Sequence, residues 1–227
     1  MDNYIHTMRS VSFLNDFSDE ELRHIEKCLS VRTQIYEKTD NIFVKGEQPV
    51  SMGVILQGRV QEEDNDLFGN RNIVKEFHKG EAFAIDSVCM QLRSLLTTYV
   101  AAEQSKVLLL NYGKIFGGCN KNCDIRSKML ANLLKLTATE LLSLNRKIKC
   151  LSQRSTREKL IAFFSCCVQE KGSNRFSISF SRQEMADYLC LNRSAMSKEL
   201  CLMRNEGLLR FNRNDFELFF DSTDIVL

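Results

Sequence analysis

The chain has 227 residues, 44% of them hydrophobic, which is material for one large or two modest packed domains and excludes wholesale disorder. Its 31 Lys and Arg against 29 Asp and Glu leave a net charge of +2, so any basic footprint for nucleic acid must be local. No apolar run approaches the roughly 18 residues of a membrane span, and the N-terminus carries an early acid, Asp2, and no apolar signal core. With nine cysteines, an odd count, these features predict a cytoplasmic protein with mostly free thiols and no membrane contact.

In chain order, the stretch from Val11 to Leu29 reads as helix, with Phe13, Leu14, Phe17, Leu22 and Ile25 covering one face. From Val31 to Tyr112 the texture changes to short segments punctuated by Gly46, Gly53, Gly58, Gly69 and Gly80. Met52-Gly53-Val54-Ile55-Leu56 and Lys106-Val107-Leu108-Leu109-Leu110 are short and rich in strand formers, and Phe68-Gly69-Asn70-Arg71-Asn72 reads as a hairpin turn. Regularly spaced short strands predict a small antiparallel barrel or sandwich.

From Asp124 to Leu151 there is no glycine or proline, and Leu130, Leu133, Leu134, Leu141, Leu144, Ile148 and Leu151 recur mostly at three- and four-residue steps. A helix of that length extends about 40 Å. One face packs on its own barrel, and the remaining stripe is either core of a single chain or the interface of a homodimer across a two-fold axis. For the dimer, the contact residues are Leu130, Leu134, Leu141, Leu144 and Ile148.

After Arg154 the chain reads as a helical unit closed by a hairpin. Thr156 to Glu170 is an amphipathic helix ended near Lys171-Gly172, and Phe176-Ser177-Ile178-Ser179-Phe180 alternates as a strand. Ser181-Arg182-Gln183-Glu184 is a capping box opening a short helix with Met185, Ala186 and Leu189 inward. Cys190-Leu191-Asn192 makes a tight break, Asn192 caps a second helix, and Gly207 stops it.

Met196, Leu200 and Met203 form the apolar stripe of that second helix, whereas Arg193, Ser194, Ser197 and Lys198 cluster on another side. Two short helices around a three-residue turn, with polar and basic side chains in the first turns of the second, follow the helix-turn-helix plan. The Arg193 fork matches guanine O6 and N7; Ser194, Ser197 and Lys198 suit a base or a phosphate. Arg182, and Arg213 at the tip of a hairpin from Leu208 to Phe219, complete the candidate DNA contacts. Arg146, Lys147, Lys149, Arg154, Arg157 and Lys159 form a basic stretch that reads either as phosphate contacts or as a solvated face.

Ser181 to Leu189 followed by Asn192 to Leu200 resembles the helix-turn-helix of the Crp–Fnr superfamily of transcription regulators. Ile42-Phe43-Val44-Lys45-Gly46-Glu47 and Gly53-Val54-Ile55-Leu56-Gln57-Gly58-Arg59-Val60 are similar to the opening strands of that family's cyclic-nucleotide-binding-type barrel, and Phe77 to Phe83 to the entry of its ligand cradle. The resemblance spans roughly residues 10 to 220.

It implies an α+β chain: an antiparallel jelly-roll sensor barrel with an N-terminal helix (1–118), a long dimerisation helix (119–153) and a winged helix-turn-helix (154–227). It further implies a homodimer on palindromic double-stranded DNA, RNA polymerase as partner, and a signal at the barrel that reorients the DNA-binding heads. Arg193 would contact a guanine and Lys198 a base or phosphate; Ser194 stands where the family often has a glutamate, so base preference there is relaxed or different. The effector pocket would be lined by Gly80, Glu81, Phe83, Ile85, Leu96, Thr97 and Thr98. Ile85 and Leu96 replace the glutamate and arginine that hold ribose and cyclic phosphate, which argues against cyclic AMP.

Other sensing chemistries leave the cofactor undefined. Cys119-x-x-x-Cys123 is a redox pair, half of a metal site, or two packed thiols; His6, His24 and His78 are distant in sequence. No terminal cysteine cluster for iron–sulfur is present, and His78 precedes the place of the family's haem ligands. Cys166 and Cys167 are helix neighbours pointing in different directions, one of them into the core. No metal site is expected. The absence of nucleotide-binding, nucleophile-elbow and zinc-protease motifs predicts no enzyme activity. The competing reading is a thiol-redox or small-molecule sensor acting mainly through protein–protein contacts.

Overall fold

The computed structural model describes residues 3–9, 11–66, 68–111 and 124–219. They fall into two compact units, Met1–Leu141 and Leu142–Leu227.

The first unit opens with helices α1 (Asn3–Arg9) and α2 (Asp19–Leu29), joined by a single 3-10 turn at Ser12–Leu14. The expected continuous helix from Val11 is therefore broken. Ser18 breaks it: its hydroxyl accepts from the Glu21 amide at 3.3 Å while the Glu21 carboxylate accepts from the Ser18 amide at 2.7 Å. That reciprocal cap satisfies the first amides of α2 and competes with a through-going helix. Phe13, Leu14, Phe17, Leu22 and Ile25 are nonetheless all buried, as their spacing predicts.

Among the described residues eight strands follow: β1 (Arg32–Tyr36), β2 (Asn41–Phe43), β3 (Met52–Gln57), β4 (Val60–Asn65), β5 (Arg71–Phe77), β6 (Ala82–Phe83), β7 (Thr98–Ala101) and β8 (Ser105–Leu110). They form two four-stranded sheets, ordered β1-β8-β3-β6 and β2-β7-β4-β5, with antiparallel pairing. At the β4–β5 turn the Asp66 carboxylate accepts from the amides of Phe68 and Asn70 at 2.8 and 2.9 Å, fixing the predicted hairpin.

The uninterrupted apolar runs in β3 and β8 reflect a sheet covered on both faces. Met52, Val54, Leu108 and Leu110 pack with Leu14, Leu22, Ile25 and Leu29 of the N-terminal segment. Ile55, Val107 and Leu109 point the other way, into a core shared with Phe77 and Tyr99 of the second sheet. Phe83 lies in that core, its ring centroid 5.6 Å from Phe43, 5.8 Å from Phe77 and 5.3 Å from Tyr99. Gly53 is obligatory opposite it, because a Cβ there would lie 2.1 Å from Phe83 Cζ. After β6 a short helix, α3 (Ile85–Cys89), leads away.

The chain passes from the first unit to the second within α4 (Asp124–Leu151), whose 28 residues span about 42 Å. Met129 and Leu133 are buried. Leu130, Leu134, Leu141, Leu144 and Ile148 are all exposed, Leu134 by 71% and Ile148 by 62%. With Thr137 they follow alternating four- and three-residue steps, the spacing of a coiled-coil seam.

The second unit continues with α5 (Thr156–Lys171), β9 (Arg175–Ser177), α6 (Arg182–Tyr188), α7 (Arg193–Asn205), β10 (Leu209–Asn212) and β11 (Asp215–Leu218), with sheet order β10-β11-β9. The strand expected at Phe176–Phe180 is paired only to Ser177. Its partner β11 begins opposite it, with Asp215 against Ser177, so no strand remains to pair Ile178–Phe180. The in–out alternation persists, and Phe176, Ile178 and Phe180 are all buried. Phe164 of α5 centres this core, 4.8 Å from the Phe216 ring.

Candidate nucleic-acid interface

The predicted capping box opens α6: Ser181 Oγ accepts from the Glu184 amide at 3.2 Å and the Glu184 carboxylate accepts from the Ser181 amide at 2.6 Å. Met185, Ala186 and Leu189 are buried. The turn is closed by the Leu191 amide donating to the Ala186 carbonyl at 2.9 Å, with Cys190 at φ 52°. Asn192 then caps α7. At the other end Gly207 takes φ 78°, which ends the helix without the steric cost a side chain would bring.

Met196, Leu200 and Met203 are buried against the core and fix the rotation of α7. Arg193, Ser194 and Lys198 are consequently exposed, and Ser197 is half-buried. Among the described residues, no ion pair engages Arg193 or Lys198. Ser194 differs, since its hydroxyl donates to Asn192 Oδ1 at 2.6 Å and only its lone pairs face outward.

Arg182 is not a free contact residue. Its guanidinium stacks over Phe216 at 4.8 Å and Phe211 at 5.1 Å, and Nη2 donates to the Arg213 carbonyl at 2.6 Å. Burial pulls its pKa down, and Nη1 is enclosed without a hydrogen-bond partner among the described residues. Arg182 thus braces the β10–β11 hairpin, whose two-residue turn places Arg213, at φ 51°, exposed at the tip.

Most of the basic stretch is occupied internally. Arg157 donates to Glu199 at 2.6 Å and to both oxygens of Glu206 at 2.9 and 2.7 Å. It thereby joins α5 to the middle and the C-terminal end of α7, and holds the Glu206 carboxyl below its usual range. Arg146 pairs with Glu170, Lys147 lies 4.5 Å over the Tyr188 ring, and Lys159 reaches the Leu189 carbonyl at 3.5 Å. Lys149 and Arg154 remain exposed. Sequence reasoning missed the Arg157 clamp; its partners lie 42 and 49 residues away, so no local spacing signals it.

The residues expected to form one effector pocket are not gathered. Phe83 belongs to the core between the sheets and Ile85 to the separate core beneath the N-terminal helices, while Leu96 is 67% exposed. Glu81 accepts from the His78 amide at 2.7 Å beside the half-buried Gly80, and the Thr98 hydroxyl accepts from the Lys45 amide at 3.1 Å. Thr97 donates to Glu62 at 2.8 Å. Burial pushes the Glu62 carboxyl up, with Asp86 and Glu140 adding to the effect against Thr97 and Lys75, and Lys75 is itself bonded to Glu140 at 3.1 Å.

Cys119 and Cys123 lie outside the described residues. Among the described residues there is no group of three or more His, Cys, Asp or Glu placed to hold a metal ion, and no helix long and apolar enough to cross a membrane.

Two sheets, a 28-residue helix and a capped helix pair with a hairpin give this chain the fold of the CRP/FNR-family transcriptional regulators. It superposes on the c-di-GMP-responsive global regulator CLP of Xanthomonas campestris with a TM-score of 0.72 at 13% identity, over 90% of this chain and 100% of that one. Against a CRP/FNR-family transcriptional regulator of Thermus thermophilus the TM-score is 0.58 at 18% identity, over 85% and 95%. In sequence it is 22% identical over 194 residues to electron transport regulator A of Shewanella oneidensis, covering 83% of this chain and 75% of that protein. No protein-family model matches the chain.

Proposed function

We propose that this chain is a sequence-specific DNA-binding transcription regulator that acts as a homodimer on a palindromic site. The observation that carries the reading is the presentation of Arg193 and Lys198, exposed and without an ion pair among the described residues, on the first turns of a helix whose opposite face is anchored by Met196, Leu200 and Met203. In this reading α6 and α7 are a helix-turn-helix and β10–β11 its wing. α7 enters the major groove, Arg193 forks onto a guanine, Lys198 meets a base or phosphate, and Ser197 and Arg213 add backbone contacts. Ser194 serves α7 as part of its cap more than it reads a base.

The exposed seam Leu130, Leu134, Leu141, Leu144 and Ile148 supports the dimer: five apolar side chains in coiled-coil register are costly in water and are covered by the same seam of a second copy. The two-sheet unit is then a jelly-roll sensor domain that does not answer to cyclic nucleotides. A phosphate near Thr97 would face Glu62, Asp86 and Glu140, and the nearby Lys75 already serves Glu140. RNA polymerase is the partner such a regulator addresses, in the cytoplasm.

Selection of sites from a random DNA pool by the purified chain tests this. A palindrome with half-sites about one helical turn apart, enriched equally with and without cyclic AMP, is the expected result. Sequence-blind binding by an intact dimer would sink it in favour of an output through protein–protein contacts.

A further inference from the structure

Arg157 holds α7 from the first turn of another helix. It is the second residue of α5, just past the Ser155 cap and close to the end of α4 at Leu151. The Ser155 hydroxyl accepts from the Glu158 amide at 3.1 Å and the Glu158 carboxylate accepts from the Ser155 amide at 2.9 Å, which locks the corner between α4 and α5. From that corner Nε donates to Glu199 at 2.6 Å, while Nη1 and Nη2 fork onto Glu206 at 2.9 and 2.7 Å. Glu199 lies within α7 and Glu206 is its C-cap, two helical turns further on, so one guanidinium grips the helix at two points about 10 Å apart along its axis. A cation in the first turn of a helix opposes the helix dipole. α5 therefore gains nothing from an arginine at this position; its partners are on α7.

We propose that Arg157 is a positioning residue of the DNA interface: it fixes the tilt of α7, and with it the discrimination between bases, without touching DNA. The inference rests on the DNA-binding reading of α7. The buried stripe of Met196, Leu200 and Met203 fixes the rotation of α7 about its axis. A single stripe leaves tilting and sliding as the softer motions of a packed helix. Glu199 and Glu206 each follow a stripe residue, Met196 and Met203, by three positions, so the clamp lies beside the stripe and resists both motions. Arg193 stands about 9 Å before Glu199 along the axis. A tilt of about 10° at the clamp moves that end by about 1.5 Å, enough to break a forked contact with a base edge.

The clamp also settles the charges next to Lys198. Glu199 is its neighbour in sequence, and a free carboxylate there would repel phosphate and compete for the lysine. Arg157 occupies both Glu199 and Glu206, so Lys198 keeps its charge for DNA. Nε, Nη1 and Nη2 of Arg157 are all engaged with these carboxylates, which makes it a brace and not a phosphate contact. A lysine could not replace it, because an ammonium is a point charge without a fork.

The test compares the full chain with Arg157→Gln and Arg157→Lys on two duplexes: the palindrome selected from the random pool, and a scrambled duplex of the same length and composition. The readout is the ratio of the two affinities, taken at several salt concentrations. Loss of folded protein lowers both affinities alike and leaves the ratio unchanged, so the ratio reports position and not stability. The expected result is a ratio about tenfold lower in Arg157→Gln, the size of one lost base contact, with Arg157→Lys intermediate and the salt dependence on the scrambled duplex unchanged. Glu206→Gln leaves α5 untouched and should lower the ratio in the same direction, which keeps the test available if Arg157→Gln does not fold. An unchanged ratio in the variants overturns the proposal. So does an equal loss on both duplexes with a salt slope about one unit shallower, which makes Arg157 a phosphate contact. Failure of the parent chain to select any site overturns the DNA reading and this proposal with it; a parent that discriminates while its variants discriminate equally overturns only the role of Arg157.

Discussion

The side-chain carbonyl of Asn192 accepts the Ser194 hydroxyl at 2.6 Å while it caps the amides of Ser194 and Ala195 at 2.9 and 3.3 Å. One atom therefore both starts α7 and occupies the donor of a side chain on its outward face. Asn192→Ala is expected to lower stability by about 1 kcal/mol, read from urea unfolding. Ser194→Ala should change DNA affinity little, since its only donor is already committed.

Arg193 and Lys198 should separate cleanly from Arg182. Arg193→Ala is expected to remove about 1–3 kcal/mol of discrimination at one base pair of the half-site. Lys198→Ala, if Lys198 meets a phosphate, weakens all sequences alike and flattens the salt dependence by about one unit of slope. Arg182→Ala instead removes the stacking on Phe216 and Phe211 and the bond to the Arg213 carbonyl. It should cost about 1–2 kcal/mol of stability. Binding titrations at several salt concentrations, alongside unfolding curves, distinguish the three. A stable Arg182→Ala protein with DNA binding abolished would return that residue to the interface.

Gly53→Ala sets a methyl group 2.1 Å from Phe83 Cζ in a closed core. Overpacking of this kind is expected to cost about 3 kcal/mol. Phe83→Leu in the same chain should recover part of the loss, and a double-mutant cycle by chemical denaturation measures the coupling.

Glu62 gives a pH signature. Its carboxyl is raised in the folded protein, first by burial and then by Asp86 and Glu140. A raised carboxyl favours the folded state when protonated, and that contribution is lost as pH rises through the folded value. Glu62→Gln, which keeps an acceptor for Thr97, should melt higher than the parent at pH 7, and the gap should close as pH falls toward 4. An unchanged gap across that range would rule the mechanism out.

If the seam of α4 is a dimer interface, a charge in it must separate the copies. Leu134→Lys and Leu141→Lys replace exposed side chains, so the single chain should stay folded while sedimentation velocity shows monomer. Retention of the parent's oligomeric state by both variants would place the contact elsewhere.

Much of the second unit was legible from spacing alone. Ser181 with Glu184, Asn192 before a basic turn, and Met196, Leu200 and Met203 at helical steps are local patterns, and local hydrogen bonds and one-sided burial enforce them. The same kind of signal misled where two local rules competed: an apolar stripe argued for helix through Phe17, and the Ser18 cap prevailed.

By itself the sequence determined the elements whose stabilising contacts lie within a few residues: the capped helix pair α6 and α7, the long α4 with its seam, and the β4–β5 turn. Only the tertiary structure decided the roles of groups whose partners are distant in the chain. It turned Arg182 from a contact residue into a brace and drew Arg157 to Glu199 and Glu206. It also parted Phe83 from Ile85 into different cores. An ion pair or a ring stack depends on position in space, and no periodicity along the chain encodes that.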